Sequence, residues 1–351
     1  MIPAKLIDLL QDLIRTPSFS GQESNTAKIL INYLHESGVI LECKHNNIWA
    51  KNLHFSPEKP TILLNSHHDT VKPNGGYSKP PFAPTINGDK LFGLGSNDAG
   101  GALITLLQVF LHFYDKKDMH YNLVLALTGE EENSGINGIR SILNDLPPIS
   151  FAIVGEPTEM KMAIAEKGLL VIDAIAKGKS GHVAHLNTLN PIYIALEDIA
   201  RLTAHTFTKA SALLGDVKLS VSQISAGAQH NVVPAECQFV IDIRINENYT
   251  NEEVYETLDT LTKSTLTPRS FHLSSSSIHP EHPIVRIGKE MGITTYGSPT
   301  LSDQANLSCP SLKIGPGKSE RSHQADEYIR LSELEEGLEI MTKLIHKILS
   351  K

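Results

Sequence analysis

A histidine and an aspartate that could serve a metal ion follow directly after an apolar run. Residues 61–64 are typical of a buried strand, and His67 and Asp69 come next, two positions apart. Side chains with this spacing in an extended segment share a face, so the Asp69 carboxylate can accept a hydrogen bond from the His67 imidazole. The other ring nitrogen of His67 then remains for a metal ion. For this triplet alone, ordinary surface histidines at a strand end are the competing interpretation.

Acidic residues stand at the ends of two further segments. Asp98 ends the glycine-rich run 93–98 just before an apolar helix, where an ion could approach it closely and where an ordinary N-cap aspartate fits equally well. The three glutamates at 130–132 follow the apolar run 122–127. Successive carboxylates repel one another unless a cation or solvent separates them, so this segment is either a source of metal ligands or a solvated acidic turn.

The later part of the chain supplies another carboxylate and another histidine. Glu156 lies just beyond the apolar run 151–154, and His323 lies beside acidic residues in the segment 322–327, which could otherwise be a plain surface loop. Two histidines and at least three carboxylates at strand ends suit a pair of divalent ions with nitrogen and oxygen ligands. Zinc is the first choice, followed by cobalt or manganese.

The elements that must position these residues alternate between helices and short apolar strands. Helices are predicted at 4–15, 22–36 and 102–114, strands at 40–52, 61–64, 122–127 and 151–154, and a tight hairpin turn at 87–88. A further helical segment is expected between the last two strands. This alternation indicates an α/β fold with a largely parallel sheet, in which the carboxyl ends of the strands carry the site.

The pattern changes after Gly168. Strands are then predicted at 169–176, 218–224, 238–245 and 270–275, and helices at 190–204 and 251–263. Their order, βαββαβ, is that of a ferredoxin-like two-layer unit. From residue 283 the first pattern returns and ends in a helix at 331–349, with Ser332 and Glu335 as a predicted capping box. We therefore predict one domain made of residues 1–168 and 278–351, with a second domain, 169–277, inserted into it.

Composition limits the classes of function. The chain has 351 residues, 40% of them hydrophobic, which is enough for one large domain or two. Its net charge of -8 and the lack of a basic run argue against nucleic acid or an anionic membrane as a partner. Cys43, Cys237 and Cys309 are scattered, which argues against a disulfide framework or a thiolate metal site. With no signal-like or long apolar segment, we expect a cytoplasmic protein.

Several motifs occur in the order and approximate spacing of one enzyme family. They are SHHDTV, GLGSND, EEENSGING, VGEPT, GKSGH, NVVPAECQFVIDIR and SHQADEY. On these motifs the chain resembles the co-catalytic zinc deacylase and peptidase family of acetylornithine deacetylase, succinyl-diaminopimelate desuccinylase, aminoacylase and carboxypeptidase G. The resemblance implies an α/β, mostly parallel-sheet, zinc-peptidase-like catalytic domain. It also implies an inserted ferredoxin-like α+β domain that serves as a lid and as a dimerisation domain.

The resemblance also implies a role for each candidate residue of the first domain. Five side chains match the family's metal ligands: Asp98 bridging two ions, His67 and Glu156 on one of them, and Glu132 and His323 on the other. Asp69 would orient His67. The peptide bond after Asp98 would be cis, as is typical of the family.

The implied reaction is metal-assisted amide hydrolysis with a glutamate as general base. Aligning residues 130–132 on the family's Asp-Glu-Glu makes Glu131 the base and Glu132 the ligand, and a shift by one residue would move these roles to Glu130 and Glu131. In the inserted domain, His182 matches a histidine that stabilises the oxyanion, often across a dimer.

Three residues match positions that hold the substrate in the family. They are Asn231, Arg244 and Lys167, of which Arg244 could clasp a carboxylate or could instead form a structural salt bridge. The partners implied are a small N-acylated amino acid and a second copy of the chain in a homodimer.

The function implied is removal of an N-acyl group, acetyl or succinyl, from an amino acid. VGEPT and SHQADEY place the chain nearest acetylornithine deacetylase-like enzymes of arginine biosynthesis, with acylornithine or acylcitrulline as substrate. A metallo-aminopeptidase or dipeptidase of the same family is an alternative, since the same two-ion site cleaves peptide bonds, and an acetyl-lysine deacetylase is another. A non-enzymatic metal-binding protein would have no need of Glu131.

Overall fold

The structure, a computed structural model, describes residues 2–350, which divide into two units. Unit one consists of the chain up to Ile164, of Ser277–Tyr296, and of the chain from Ser302 onward. Unit two consists of Ala165–Ser276 and Gly297–Leu301. Unit one is therefore discontinuous in sequence. Within residues 2–350, no helix is both long enough and apolar enough to cross a membrane.

The helices and strands are numbered in chain order. The helices are α1 Ala4–Arg15, α2 Ser24–Glu36, α3 Gly101–Phe113, α4 Pro191–Ala204, α5 Asn251–Leu261, α6 Pro283–Glu290 and α7 Leu331–Leu349. The strands are β1 Glu42–Lys44, β2 Asn47–Lys51, β3 Thr61–His67, β4 Thr85–Asn87, β5 Lys90–Phe92, β6 Asn122–Thr128, β7 Phe151–Val154, β8 Met162–Glu166, β9 Gly168–Lys177, β10 Gly181–His182, β11 Lys218–Ala226, β12 Val232–Val233, β13 Glu236–Ile245, β14 Thr265–Pro268, β15 Ser276–Ser277, β16 Thr295–Ser298, β17 Ser311–Lys313 and β18 Tyr328–Arg330.

The main sheet of unit one has a parallel centre. Its strands run in the order β1-β2-β6-β3-β7-β17-β8, in which β6, β3, β7 and β17 are parallel neighbours. Antiparallel strands, β2 and β8, flank this centre. Every residue of β3 and β6 is buried, as expected for strands that are covered on both faces. The parallel centre makes their carboxyl ends meet at one edge.

Helix α3 is the buried helix of unit one. Ten of its thirteen residues are buried, and it packs against α1, α7 and the parallel strands β3 and β6. Its sequence is apolar nearly all round, which is typical of a helix enclosed by other elements. The helix begins at Gly101, directly after Asp98 and its loop, so the packing of α3 fixes where that loop lies.

Unit two is a two-layer α+β unit. Its main sheet has four antiparallel strands in the order β11-β13-β9-β14, and β10 and β12 pair in a separate two-stranded sheet. Burial alternates along β9 with a period of two, so one face of the sheet is packed. Apolar residues of α4 and α5 share a core with that face. The chain order, βαββαβ, is the one expected from the sequence.

Two predicted elements are wrong. The fourth strand of unit two is not 270–275 but β14, where three consecutive residues, Thr265 to Thr267, include two β-branched threonines. The side-chain amide of Asn251 instead binds the carbonyls of Phe271 and Leu273, which keeps that segment out of the sheet. Between β6 and β7 there is no α-helix but a single 3₁₀ turn, Ile139–Ser141, because glycines and prolines interrupt the segment.

The predicted cap of the last helix is also wrong. Helix α7 begins at Leu331, and the Glu333 carboxylate accepts the backbone N–H of Arg330 at 3.1 Å. Ser332 lies inside the first turn, where its N–H and its hydroxyl both donate to Asp89. Ser332 therefore hydrogen-bonds to Asp89, in the turn between β4 and β5, and does not form the predicted capping box with Glu335.

Candidate metal centre

Three neighbouring parallel strands carry most of the predicted site. Strand β3 ends at His67, strand β6 leads directly into the glutamates at 130–132, and strand β7 is followed by Glu156. The register pairs His67 with Thr128 and Asn65 with Val154, so all three ends lie at one edge of the sheet. The side chains gather there because parallel strands deliver the residues that follow them to the same place.

Two groups of side chains could each hold a metal ion. The first is His67, Glu131 and Glu156, and the second is Asp98, Glu132 and His323; in each group the candidate ligand atoms lie within 4.8 Å of one another. All five predicted ligands therefore belong to these two groups. Glu131, predicted as general base, joins the first group, and its Oε2 lies 3.8 Å from Nε2 of His67, the same separation as for Oε1 of Glu156.

Asp98 lies between the two groups. One carboxylate oxygen, Oδ1, is 3.4 Å from Nε2 of His67, and the other, Oδ2, is 3.6 Å from Nε2 of His323. A carboxylate with one oxygen toward each group has the arrangement of a bridging ligand. The peptide bond between Asp98 and Ala99 is cis, as the family resemblance implied.

The surroundings of His67 fit a cation. Its Nε2 is buried and has no hydrogen-bond partner, although oxygens of three carboxylates lie at 3.4–3.8 Å. A buried polar atom without a partner is costly, and clustered carboxylates repel one another. A divalent ion bound by imidazole and carboxylate groups would resolve both problems, and this donor set suits zinc, cobalt or manganese. The residues present therefore fit the implied pair of ions.

Burial and mutual repulsion shift the acid–base equilibria of these groups. Burial raises the pKa of Glu131 well above its ordinary value, and the negative charge of Glu156 adds to the effect. For Glu156, burial and the charge of Asp98 raise the pKa to about 8. Burial lowers the pKa of His67, but Glu131 and the other carboxylates outweigh it and raise that pKa well above its usual range. The metal-free site thus retains protons that bound cations would displace.

Asp69 holds more than the histidine it was predicted to orient. Its Oδ1 lies 3.3 Å from Nδ1 of His67, which is also 3.1 Å from the Asp69 carbonyl oxygen. The same carboxylate accepts the backbone N–H groups of Glu131 and Glu132, each at 3.1 Å, and the hydroxyl of Ser20 at 2.7 Å. One buried aspartate therefore fixes both His67 and the turn that carries two glutamates of the site.

Glu130 faces away from both ligand groups. Its carboxylate accepts the backbone N–H and the side-chain amide of Asn137, each at 3.0 Å. Its positive φ of 56° turns the chain so that Glu131 and Glu132 point toward the other ligands. This geometry favours the register in which Glu131 and Glu132, and not Glu130 and Glu131, carry the two roles.

Two buried carboxylates near the site were not singled out from the sequence. Glu327 accepts three backbone N–H groups of the loop that ends at Asp98, and burial and the charge of Asp98 raise its pKa to about 8. Asp303 accepts the hydroxyl of Thr128 at 2.7 Å, and burial raises its pKa to about 6. Glu327 lies within the motif SHQADEY and could have been noticed, whereas no quoted motif contains Asp303.

Four predicted residues belong to unit two. His182 lies in β10, is exposed, and its Nδ1 accepts the N–H of Ala184 at 3.2 Å. The Asn231 carbonyl accepts the N–H of Val183, which places Asn231 beside β10. Arg244 binds both oxygens of Asp242, at 2.8 and 3.1 Å. Lys167 donates to the carbonyl of Asp216 at 2.7 Å, and burial lowers its pKa.

Comparisons with known proteins agree with this geometry. The chain is similar to a succinyl-diaminopimelate desuccinylase from Xylella fastidiosa (strain M23), with 26% identity over an alignment of 379 positions that covers 99% of this chain and 99% of that protein. Among solved structures it is similar to an M20 family metallo-carboxypeptidase from Sulfolobus solfataricus, with 18% identity, 100% of both chains covered and a TM-score of 0.80. It is also similar to a dinuclear metal binding peptidase of the M20 family from Bacillus subtilis, with 16% identity, 99% of this chain and 98% of that chain covered and a TM-score of 0.75.

These findings confirm the predicted fold class and correct one part of the predicted function. The curated relative is a desuccinylase, so the expected place among acetylornithine deacetylases of arginine biosynthesis has no support from it. A model of peptidase family M20/M25/M40 matches residues 63–347, a range that includes all the predicted metal ligands. The prediction of a metal-dependent hydrolase is confirmed, and the chain belongs to peptidase family M20/M25/M40.

Proposed function

We propose that this enzyme removes a short acyl group, succinyl or acetyl, from the amino group of an amino acid, with Glu131 as general base. The observation that carries the proposal is the two ligand groups that meet at Asp98, the first of which includes the carboxylate of Glu131 in addition to the five predicted ligands. A protein that only stored metal would have no need of a further carboxylate at this place.

The chain's own residues divide the work of the proposed reaction. Two divalent ions, when bound, supply Lewis-acid activation of water and of the amide carbonyl. Glu131 takes the proton of the attacking water and returns it to the leaving amine. Asp69 keeps Glu131 in place through the backbone N–H of that residue. His182 would donate to the oxyanion from unit two.

Succinyl is the acyl group that we favour. The support is the name of the curated relative, a succinyl-diaminopimelate desuccinylase. A succinyl group ends in a carboxylate, which a guanidinium can clasp with two hydrogen bonds. Arg244 is the proposed partner, with Asn231 and Lys167 holding other polar groups of the substrate.

A substrate panel tests the proposal. Purified protein loaded with zinc, cobalt or manganese is incubated with succinyl-diaminopimelate, acetylornithine, acylcitrullines, acetyl-lysine and dipeptides, and release of the free amine is measured. We expect turnover of the acylated amino acids, with the succinylated substrate fastest. Turnover of dipeptides alone would replace the proposal with a peptidase, the activity named for the similar solved structures. Fastest turnover of an acetylated substrate would contradict the assignment of succinyl as the acyl group but not the proposed deacylase activity.

We further propose that the enzyme is a cytoplasmic homodimer joined through unit two. The support is strand β11, an edge of the four-stranded sheet, along which most residues, including Ile224, are exposed. An exposed edge presents unpaired backbone groups that a second copy could cover. Cys43, Cys237 and Cys309 are all unpaired, as is usual for proteins in a reducing compartment.

A further inference from the structure

A single buried glutamate holds the loop that ends at Asp98. Glu327 is 2% exposed, and its Oε1 accepts the backbone N–H groups of Asn97 at 2.7 Å and of Asp98 at 2.9 Å. Its Oε2 accepts the N–H of Gly95 at 2.9 Å. Three backbone donors pointing at one carboxylate fix the conformation of the loop at the residue that faces both ligand groups.

The backbone of Glu327 is tied to the same loop. Its carbonyl accepts the N–H of Gly93 at 3.0 Å, and the residues that follow it form β18, which pairs with β5 just before the loop begins. Gly95 has a φ of +77°, and a Cβ added there would lie 2.7 Å from the Thr70 side chain, so this position of the loop requires glycine. Glu327 therefore binds the loop at its beginning, its middle and its end.

The segment that carries Glu327 also carries a metal ligand. His323 lies four residues earlier, with a φ of 59°, and its Nε2 is 2.9 Å from Oε2 of Glu132. Between the two, the Asp326 carboxylate accepts the N–H groups of Ser78 and Lys79, each at 2.9 Å. The short stretch from His323 to Glu327 is therefore held as one piece.

We propose that Glu327 is a positioning residue that couples Asp98 to His323, so that the ion bound by Asp98, Glu132 and His323 depends on it. The first ion depends on it less, because the ends of β3 and β7, and not the loop that Glu327 holds, place His67 and Glu156. For the second ion, two of the three ligands lie on the loop and the segment that Glu327 joins. The proposal rests on the metal site and is independent of which substrate the enzyme cleaves.

The test uses Glu327→Gln, which keeps the size of the side chain but places an amide NH2 against backbone N–H groups. Metal-free protein is titrated with zinc by calorimetry, and with cobalt while the visible absorption is followed. We expect the parent to bind two ions. In the variant, the first ion should bind within about threefold of the parent, while the second should weaken by on the order of tenfold or more, the usual effect of losing a group that supports a ligand.

A matched control comes from the same part of the chain. Glu333 is also a carboxylate that accepts a backbone N–H, from Arg330, and it pairs with Arg321, yet no hydrogen bond joins it to the Asp98 loop. Glu333→Gln should leave both ion affinities unchanged. In the cobalt titration of Glu327→Gln, the absorption added by the second equivalent should be lost while that of the first remains.

Several results would overturn the proposal. Equal weakening of both ions would mean that Glu327 acts only on the bridging carboxylate, and two unchanged affinities would mean that it supports neither. If Glu327→Gln does not fold without metal, Glu327→Asp takes its place, because it keeps the charge and shortens the reach. An unchanged second affinity in Glu327→Asp would contradict the proposal equally, and none of these readings depends on finding the substrate.

Discussion

Glu131 is the residue on which the proposed chemistry depends most. Replacing it with alanine removes the proton carrier but none of the five predicted ligands, so we expect kcat to fall by about a hundredfold or more. Both ions should remain, as measured by atomic absorption on the dialysed variant. Burial raises the pKa of Glu131, and the negative charge of Glu156 adds to that effect.

Glu130→Ala is the control for that experiment. Its carboxylate binds Asn137 in its own loop, so its loss should reduce activity much less than the loss of Glu131. The opposite ranking would show that the roles are shifted by one residue. Loss of one ion equivalent in Glu131→Ala would show that Glu131 is a ligand, which its distance of 3.8 Å from Nε2 of His67 also permits.

The raised pKa values also predict how pH affects the metal-free protein. Folding raises the pKa of Glu156 to about 8 from an ordinary 4.5. Between these two pH values the folded protein therefore keeps a proton on Glu156 that the unfolded chain has released. The contribution of this proton to the stability of the folded protein is complete below the ordinary pKa of 4.5 and is lost as pH rises through about 8. The pKa of Glu327, also about 8, and that of His323, raised to about 9 by the Glu132 carboxylate, act in the same direction.

Thermal unfolding checks this sign. Without metal, Tm should fall between pH 6 and pH 8.5, and the gain in Tm on adding zinc should be larger at the higher pH, because fewer protons must be displaced. Competition with a chromophoric chelator should show zinc affinity rising over the same interval. A metal-free Tm that rises with pH would contradict the protonation described for these carboxyl groups.

The residue types of the sequence predicted that a metal site exists. The features of the site that were not predicted are hydrogen bonds to backbone N–H groups. His67 and Glu156 follow apolar strands and Asp98 ends a glycine-rich loop, which together suggested a metal site, whereas the individual ligand roles came from the family resemblance. The additional role of Asp69 could not be seen, because it consists of accepting the N–H groups of Glu131 and Glu132. Backbone donors are present at almost every position, so a sequence pattern cannot reveal where they converge.

At the scale of elements, His182 depends on a very short strand. Strand β10 has only two residues, and it pairs with β12, with His182 opposite Val232. If His182 donates to the oxyanion, His182→Ala should lower kcat far more than it raises KM and should leave the metal content unchanged.

His185 provides the matched control for that variant. Its ring lies 5.7 Å from that of His182, and its N–H donates to the His182 carbonyl, so both residues share one exposed turn. His185→Ala should retain the kinetics of the parent. If the defect follows His185 instead, the histidine assigned to the oxyanion is the wrong one.

Elements with a strong periodic pattern were predicted most accurately. Helices α1 and α7 have the predicted bounds, because leucines at helical spacing define a buried face over several turns. The turn at Ile139–Ser141 shows the limit of this argument. Its apolar residues have helix-like spacing and pack against Leu63 and Val124 of the sheet, yet glycines on one side and prolines on the other leave room for a single turn.

At the scale of the whole molecule, the proposed dimer makes a prediction about mass. The parent should sediment as a dimer, and replacing the exposed Ile224 of β11 with lysine should shift it toward the monomer, because a charge at a paired edge opposes association. Sedimentation velocity at several concentrations measures both. If the parent protein is a monomer, the proposed dimer does not exist. If the parent is a dimer and the Ile224 variant remains one, the dimer interface does not include β11.

The discontinuity of unit one also has a consequence for synthesis. The ribosome synthesises residues in chain order, so β3, β6 and β7, with His67, Asp98 and Glu156, are made before any of unit two. His323 and Glu327 emerge only after unit two has left the exit tunnel. A nascent chain therefore carries an acidic, half-built cluster while all of unit two is being made, and the site can hold its full complement of ions only after His323 has emerged.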